Sequence, residues 1–392
     1  MNILVLNCGS SSAKFAVFDT AKELELISGI AQRLGQPQAS LDWKYQGSKQ
    51  SKPIPGATHH PALHAVVELL GSVDLLSGLR GIGHRVVHGG PKFSASVAVS
   101  PEVEAMIDEC IFLSPLHNPP NLTGIRVARD FFPKLPQVAV FDTAFHQTMP
   151  PKAYTYAVPF EWLEKHRVRR YGFHGTSHRY VSHAAIRQLQ LPASDSAVVT
   201  AHLGNGCSCA AVRNGKCVDT TMGLTPLEGV VMGTRSGSID PAIVGYVSKA
   251  TGQSADQVID ILNKKSGLLG MSGLSNDMRT IQEAAAGGNA RAQLAFDVFG
   301  YVLAKTLASL VVSLGRLDAL VFTGGIGENS APVRARVIEQ LGFLGLTIDP
   351  AANATHGKKQ GGRITNETKP QAVVVPTNEE LMIAQDTAEI VA

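Results

Sequence analysis

Asn7, Asp142 and Glu379 each follow a short apolar stretch, the placement expected of hard oxygen ligands for magnesium, although Asn and Asp also cap turns after strands. Arg85, in Gly83-His84-Arg85-Val86-Val87-His88-Gly89-Gly90, and Arg235, in Met232-Gly233-Thr234-Arg235-Ser236-Gly237, are framed by glycine. An accessible guanidinium fork suits a carboxylate or a phosphoryl group in transfer; arginines satisfying loop carbonyls would look the same. Lys14 could steady a terminal phosphate, and His174 could donate to a developing anionic oxygen. Small-residue turns follow strands at Asn7 to Ser12, Gly204 to Ser208 and Gly324 to Asn329. Glycine admits a ligand close to the backbone, whose N–H groups favour phosphate. Gly324-Gly325-Ile326-Gly327 alone matches neither the dinucleotide fingerprint nor the P-loop, but three such turns together point to phosphate.

Other chemistries fit less well. His174 and His178 have the spacing of helical zinc ligands but lack the Glu of the zinc-protease motif and an evident third ligand. His202 with Cys207, Cys209 and Cys217 lacks the usual Cys-x-x-Cys pair of a zinc site, which reads as packing. No Gly-x-Ser-x-Gly elbow surrounds the glycine-rich serines, which sets a serine hydrolase aside.

The elements that must position these residues follow from periodicity. Ile3 to Leu6 and Lys14 to Phe18 form a hairpin around a polar turn, with a third strand over Glu23 to Ile30. Pro37 to Pro61 is polar and weakly patterned, an irregular surface. Helical spacing marks Ala62 to Leu70, Pro101 to Phe112 and Leu122 to Phe131, with strands at Gly81 to Val87 and Gln137 to Phe141. A helix ends near Leu189, and a second strand, turn and strand spans Ala197 to Val212, alike in kind to the first hairpin. Arg291 to Leu314 is a long apolar helix, followed by strands at Ala319 to Phe322 and Ala372 to Val375 and a final helix. This order implies an α/β architecture.

Its 392 residues suggest two or three domains at about 150 each, and Pro150-Pro151 offers a boundary. With 44% hydrophobic and 17% charged residues the chain folds. A net charge of +3 without long runs argues against nucleic-acid or membrane binding, leaving a small ligand. The longest stretch without an ionised side chain, Ser196 to Val212, is broken by His202, Gly204, Asn205 and Gly206, so no segment is expected to span a bilayer. No secretion signal follows Met1, and the 5 cysteines make a poor disulfide framework, so free thiols and a cytoplasmic location are expected.

Nine blocks in order resemble the acetate kinase family: Leu6 to Lys14, Gly83 to Gly90, Ser114 to Pro119, Phe141 to His146, Arg170 to His178, His202 to Gly206, Met232 to Gly237, Phe322 to Asn329 and Pro376 to Glu380. The resemblance implies a two-lobed, duplicated ribonuclease-H-like fold, shared by actin, Hsp70 and sugar kinases, with the nucleotide in the interdomain cleft. The lobes would be 1–149 with 381–392, and 150–380, in a homodimer. It further implies magnesium at Asn7 and Glu379, with Mn²⁺ able to substitute. ATP or ADP would lie at Lys14, His202, Leu203, Gly204, Asn205, Gly206, Asp277, Met278, Arg279, Gly325, Ile326, Gly327, Glu328 and Asn329. Arg85 would bind acetate, Asp142 would be catalytic, His174 and Arg235 would stabilise the transition state, and Val87, Leu116, Phe173 and Pro226 would receive the methyl group. Ser238 departs from the acidic residue common at its position. A kinase of propionate or another short acid is the nearest alternative. An Hsp70-like ATPase would need a further peptide-binding domain, and a catalytically dead sensor would not retain these polar residues.

Overall fold

A computed structural model describes all 392 residues, Met1 to Ala392, which form two compact units: Met1–Gln147 with Asn378–Ala392, and Thr148–Thr377. The first unit contains β1 (Asn2–Gly9), β2 (Ser12–Asp19), β3 (Leu24–Gln32), β4 (Ser40–Tyr45), β5 (Ser48–Pro53), β6 (Leu79–Val86), β7 (Val97–Ala98) and β8 (Gln137–Phe141), in the sheet order β5-β4-β3-β2-β1-β6-β8-β7. The second contains β9 (Ala197–Leu203), β10 (Cys207–Arg213), β11 (Lys216–Thr220), β12 (Ala319–Thr323) and β13 (Gln371–Val374), in the order β11-β10-β9-β12-β13.

The two sheets share one wiring. In β3-β2-β1 and in β11-β10-β9 each neighbour is antiparallel, while β1-β6-β8 and β9-β12-β13 run parallel. The hairpin likeness in the sequence is therefore a duplication of topology, and the α/β expectation holds. Parallel strands need covering on both faces, which explains continuous apolar runs such as Ile3 to Leu6 and Val138 to Phe141.

In the first unit, helix His59–Ser72 packs Ala62, Leu63, Val66 and Leu70 against Leu4, Leu6, Phe15 and Val17. A second cluster joins Val86, Phe93, Ile107, Leu122, Ile125 and Phe141, with Phe93 and Phe141 stacked at 4.3 Å between centroids. Each fully buried side chain of this size contributes about 1.5–3 kcal/mol. The last helix, Glu379–Val391, lies against Gly81 and Gly83, which share one face of β6 because strand side chains alternate.

Three expectations change. Pro37 to Pro61 is not irregular throughout: β4 and β5 form an edge hairpin within it. All of β5, Ser-Lys-Gln-Ser-Lys-Pro, is exposed, so no apolar alternation was available to read, and its lysines and proline guard a sheet edge. Gly324 to Asn329 is a short helix rather than a turn, its periodicity hidden by three glycines. Finally, helix Ala290–Leu314 is long and apolar enough to cross a membrane, although Asp297 and Lys305 interrupt its apolar run. Its Ala292, Ala295, Phe299, Leu303, Leu307, Leu310 and Leu314 are buried at helical spacing, the pattern of a core helix.

A Cβ at Gly83 would lie 2.4 Å from Thr387 Oγ1 and 2.7 Å from Ile383 Cγ2. Gly83→Ala is therefore expected to lower stability by about 1–3 kcal/mol through overpacking. Thermal unfolding will show a lowered midpoint; an unchanged one would mean that the last helix yields freely.

Candidate active site

In the first unit Arg85 and Asp142 meet at the carboxyl ends of parallel strands. Arg85 sits near the end of β6 and Asp142 just beyond β8, where the Asp142 N–H donates to the Val86 carbonyl at 3.0 Å. Arg85 Nε donates to Asp142 Oδ1 at 3.0 Å and Nη2 to Oδ2 at 2.6 Å, a two-pronged pair. Asp142 is only 1% exposed. Burial opposes the Arg85 charge, but Asp142, with Glu379 and Glu380 farther off, reverses this and holds the guanidinium above its ordinary range.

Asn7 and Lys14 face each other across the β1-β2 hairpin. With Glu25, Ser28 and Glu380 they border a cavity of about 320 Å³. Glu379 opens the last helix, whose Asn378 cap accepts from Leu381 N at 3.0 Å. Burial pushes the Glu379 carboxyl up to about 7; Arg85 opposes the shift and Asp142 and Glu380 add to it.

Asn118 and Asn121, which the sequence reading did not single out, hold the loop after β6. Asn121 Oδ1 accepts from Val87 N at 3.0 Å, and its Nδ2 donates to the Cys8 carbonyl at 2.8 Å. Asn118 Oδ1 accepts from His88 N at 3.1 Å and Nδ2 donates to the His88 carbonyl at 2.9 Å. Asn118 lies inside the recognised block Ser114 to Pro119, the one signal that could have revealed it. Val87 is buried and Leu116 exposed.

In the second unit, His174 caps helix Gly175–Gln188 with a left-handed φ of 55°. Its Nδ1 is 2.8 Å from Ser208 Oγ, and its ring stacks on His202 at 4.4 Å. His202 Nδ1 meets Ser177 Oγ at 2.8 Å. Arg235 Nη1 donates to the Pro226 carbonyl at 3.2 Å and lies 3.8 Å from Met232 Sδ. Both contacts are neutral, and burial lowers the pKa of this guanidinium. A Cβ at Gly206 would be 3.4 Å from His174 Nε2 and 3.5 Å from Arg235 Nη1, so both groups face that turn. Ser238 Oγ accepts from Gly229 N at 3.1 Å, and Ser238 N donates to the Gly229 carbonyl at 2.8 Å. Ser238 thus closes the loop that carries Arg235. Phe173 is buried and Pro226 half-buried.

A cavity of about 600 Å³ is lined by Gly204, Asn205, Asp277, Met278, Arg279, Gly325, Ile326 and Asn329, all expected, and by Asn276, Gln282 and Ser330, which were not. Asn276 Nδ2 donates to Asn205 Oδ1 at 2.9 Å, and Gln282 Nε2 to Ser330 Oγ at 2.8 Å. Asp277 caps helix Met278–Ala286 through Thr280 N at 3.0 Å. His202, Leu203, Gly206, Gly327 and Glu328 do not line this cavity. Glu328 Oε1 instead accepts from Gly324 N at 3.0 Å and Thr377 N at 3.3 Å. Buried Arg334 donates to the Gly327 carbonyl at 2.8 Å and the Glu328 carbonyl at 3.0 Å, satisfying the end of the glycine-rich helix.

Two sheets that share a five-strand wiring, one with an arginine–carboxylate pair and one with a glycine-lined cavity, define a duplicated α/β protein of ribonuclease-H-like topology. The chain belongs to the acetokinase family, whose model matches residues 2–385. It is 54% identical over 389 residues to an acetate kinase of Chromobacterium violaceum, covering 99% of this chain and 98% of that one. An acetate kinase of Deinococcus radiodurans is 52% identical, with 99% and 98% covered. Among solved structures, a propionate kinase from Francisella tularensis superposes with a TM-score of 0.95 at 46% identity, covering 99% of both chains. Porphyromonas gingivalis acetate kinase gives 0.94 at 42%, covering 100% of both.

His84 precedes Arg85 on β6; it is 2% exposed, with Nε2 2.6 Å from the Gln137 side chain. Burial lowers its pKa to about 4. An unfolded histidine takes its proton near 6.5, so acidification through the window from 6.5 to about 4 favours the unfolded chain. Stability is fully present above the window and declines as pH falls through it, by about 3 kcal/mol from this group. Melts from about pH 7 to about pH 4.5 should show His84→Leu losing less stability than the parent; parallel losses would reject this source.

Proposed function

We propose that this chain is an acetate kinase, catalysing the reversible transfer of the ATP γ-phosphoryl group to acetate to form acetyl phosphate and ADP. Near-full-length similarity to acetate kinases at 50–54% identity carries the reading. In this reading Gly204, Asn205, Asp277 to Arg279, Gly325, Ile326 and Asn329 hold the nucleotide, with His202, Leu203 and Gly206 shaping the turn, Gly327 and Glu328 shaping the glycine-rich helix, and Lys14 serving the nucleotide's phosphates.

Acetate is already ionised at neutral pH, so its oxygen attacks the γ-phosphorus without a general base. That frees Asp142 to serve as the partner that orients Arg85, as their paired bonds at 3.0 and 2.6 Å suit. Arg85 binds the carboxylate, with Val87, Leu116, Phe173 and Pro226 around the methyl group. His174 and Arg235 donate to the phosphoryl oxygens as charge spreads over them, in a direct in-line transfer that needs positioning and charge neutralisation.

The Asn7 amide oxygen and the Glu379 carboxylate are hard donors, and crowding of Glu379 by Asp142 and Glu380 favours a cation beside them. These residues fit Mg²⁺, which accepts few protein ligands and keeps water and phosphate oxygens; Mn²⁺ suits the same donors. The ion, when bound, neutralises phosphate charge.

The chain acts as a homodimer. Support comes from Leu294, Tyr301 and Val312, exposed along one face of helix Ala290–Leu314. All 5 cysteines are buried free thiols, consistent with a cytoplasmic enzyme.

Hydroxylamine trapping with Mg-ATP tests the substrate. Acyl hydroxamate should form strongly with acetate and fall through propionate to butyrate, modestly per step because one methylene is worth about 1–3 kcal/mol. A propionate preference would replace the substrate but keep the chemistry, while no product from any acid would reject the reading. Arg235→Ala should cut turnover by about 10³-fold with little loss of ATP affinity. Equal losses of both would assign Arg235 to nucleotide binding instead.

A further inference from the structure

His174 stands at the end of a hydrogen-bond chain that runs into the core of the second unit. Its Nδ1 is 2.8 Å from Ser208 Oγ, which is 2.7 Å from His178 Nε2. His178 Nδ1 is 2.7 Å from Thr200 Oγ1, and that hydroxyl donates to the Ala210 carbonyl at 3.4 Å. His178, Ser208 and Thr200 are each 0% exposed, so bulk water cannot reverse the chain. β9 supplies Thr200 and β10 supplies Ser208 and Ala210, with Thr200 and Ala210 paired in register.

The carbonyl gives the chain its direction. It can only accept, so Thr200 directs its single hydroxyl proton there and accepts from His178 Nδ1–H. A neutral imidazole has one donor and one acceptor nitrogen, so His178 Nε2 accepts from Ser208 Oγ–H. Ser208, its proton committed, accepts from His174 Nδ1–H. The free histidine ring favours the opposite tautomer, with its proton on Nε2, so the chain overrides a default.

We propose that Thr200, His178 and Ser208 are positioning residues that hold His174 in the Nδ1–H tautomer, making Nε2 the nitrogen that takes up a proton and donates to a phosphoryl oxygen. Nε2 faces the Gly206 turn together with Arg235 Nη1. The proton comes from water before transfer and remains on the ring, so phosphoryl transfer itself moves no proton. The catalytic part of this inference rests on the acetate kinase reading; the tautomer does not.

The test is nitrogen NMR of the full-length protein labelled with ¹⁵N-histidine, at a pH where the His174 ring is neutral, with His174→Gln used to assign its signals. The expected result is a protonated Nδ1 and an unprotonated Nε2 on His174. A His174 Nε2–H tautomer, or a doubly protonated His178, would overturn the proposal without any variant. Near-isosteric Ser208→Ala and Thr200→Val should each shift His174 toward Nε2–H, the second from two links away with Ser208 in place. No shift in either would sink the chain. Each variant should also lower kcat by about 10²-fold while leaving the KM for ATP nearly unchanged. A shifted tautomer with unchanged kcat would overturn the catalytic consequence. Because the tautomer is read without turnover, an inactive parent protein would count against the substrate reading alone.

Discussion

Asp142 is a carboxylate almost wholly removed from water, and such a charge persists in a fold only beside an opposite charge that meets it well. Arg85 does so with two parallel hydrogen bonds, and the backbone around the pair follows from that requirement. β6 and β8 must be parallel neighbours so that their carboxyl ends bring the two residues together. The loop after β6 must be held, which Asn118 and Asn121 accomplish through main-chain groups at Val87 and His88. The last helix must return to β6 to set Glu379 beside the pair, and it comes close because Gly81 and Gly83 present no side chains there. Removing Arg85 would strand the Asp142 charge away from water, a loss of the kind that costs about 3–5 kcal/mol.

The second unit repeats the wiring and fills it differently. Where the first sheet ends in charged side chains, the second ends in a glycine-lined turn, a histidine stack and a short helix whose last carbonyls are held by Arg334. Gly324 adopts a positive φ of 75° and stands so near the Leu203 backbone that a Cβ would sit 2.8 Å from its carbonyl oxygen. Glycine is required there by conformation and by space together. The duplicated topology sets where strand ends fall, and the residues at those ends decide whether the end holds an ion pair, a glycine-lined cavity or a hydrogen-bond relay.

Arg85 of the first unit and Arg235 of the second are electrostatically unlike. Arg85 is matched by Asp142 and stays firmly charged, whereas Arg235 rests on a carbonyl and a thioether and has its charge disfavoured by burial. An arriving anion gives Arg235 the partner it lacks, while Arg85 already has one and contributes mainly a fixed orientation. Interactions that strengthen as charge develops are the ones that accelerate a reaction, and the proposed division of roles, Arg235 for the moving phosphoryl group and Arg85 for the acceptor, rests on that difference.

The sequence by itself determined the α/β class, the strands that end in the candidate residues, and the family, because apolar runs stopped by glycine and polar residues are local patterns. Gln137 to Phe141 and Ala197 to Leu203 were read with the bounds they have in the fold. It did not reveal β5, exposed along its whole length, or the helix Gly324–Asn329, whose glycines carry no apolar period. Tertiary structure alone decided that Arg85 pairs with Asp142, 57 positions away, that Asn121 reaches the Cys8 carbonyl across 113, and that Ser208 joins His174 to His178. The physical reason is that hydrogen bonds and ion pairs depend on distances of about 3 Å and on direction, which strand register and helix docking set. Spacing along the chain carries no record of them.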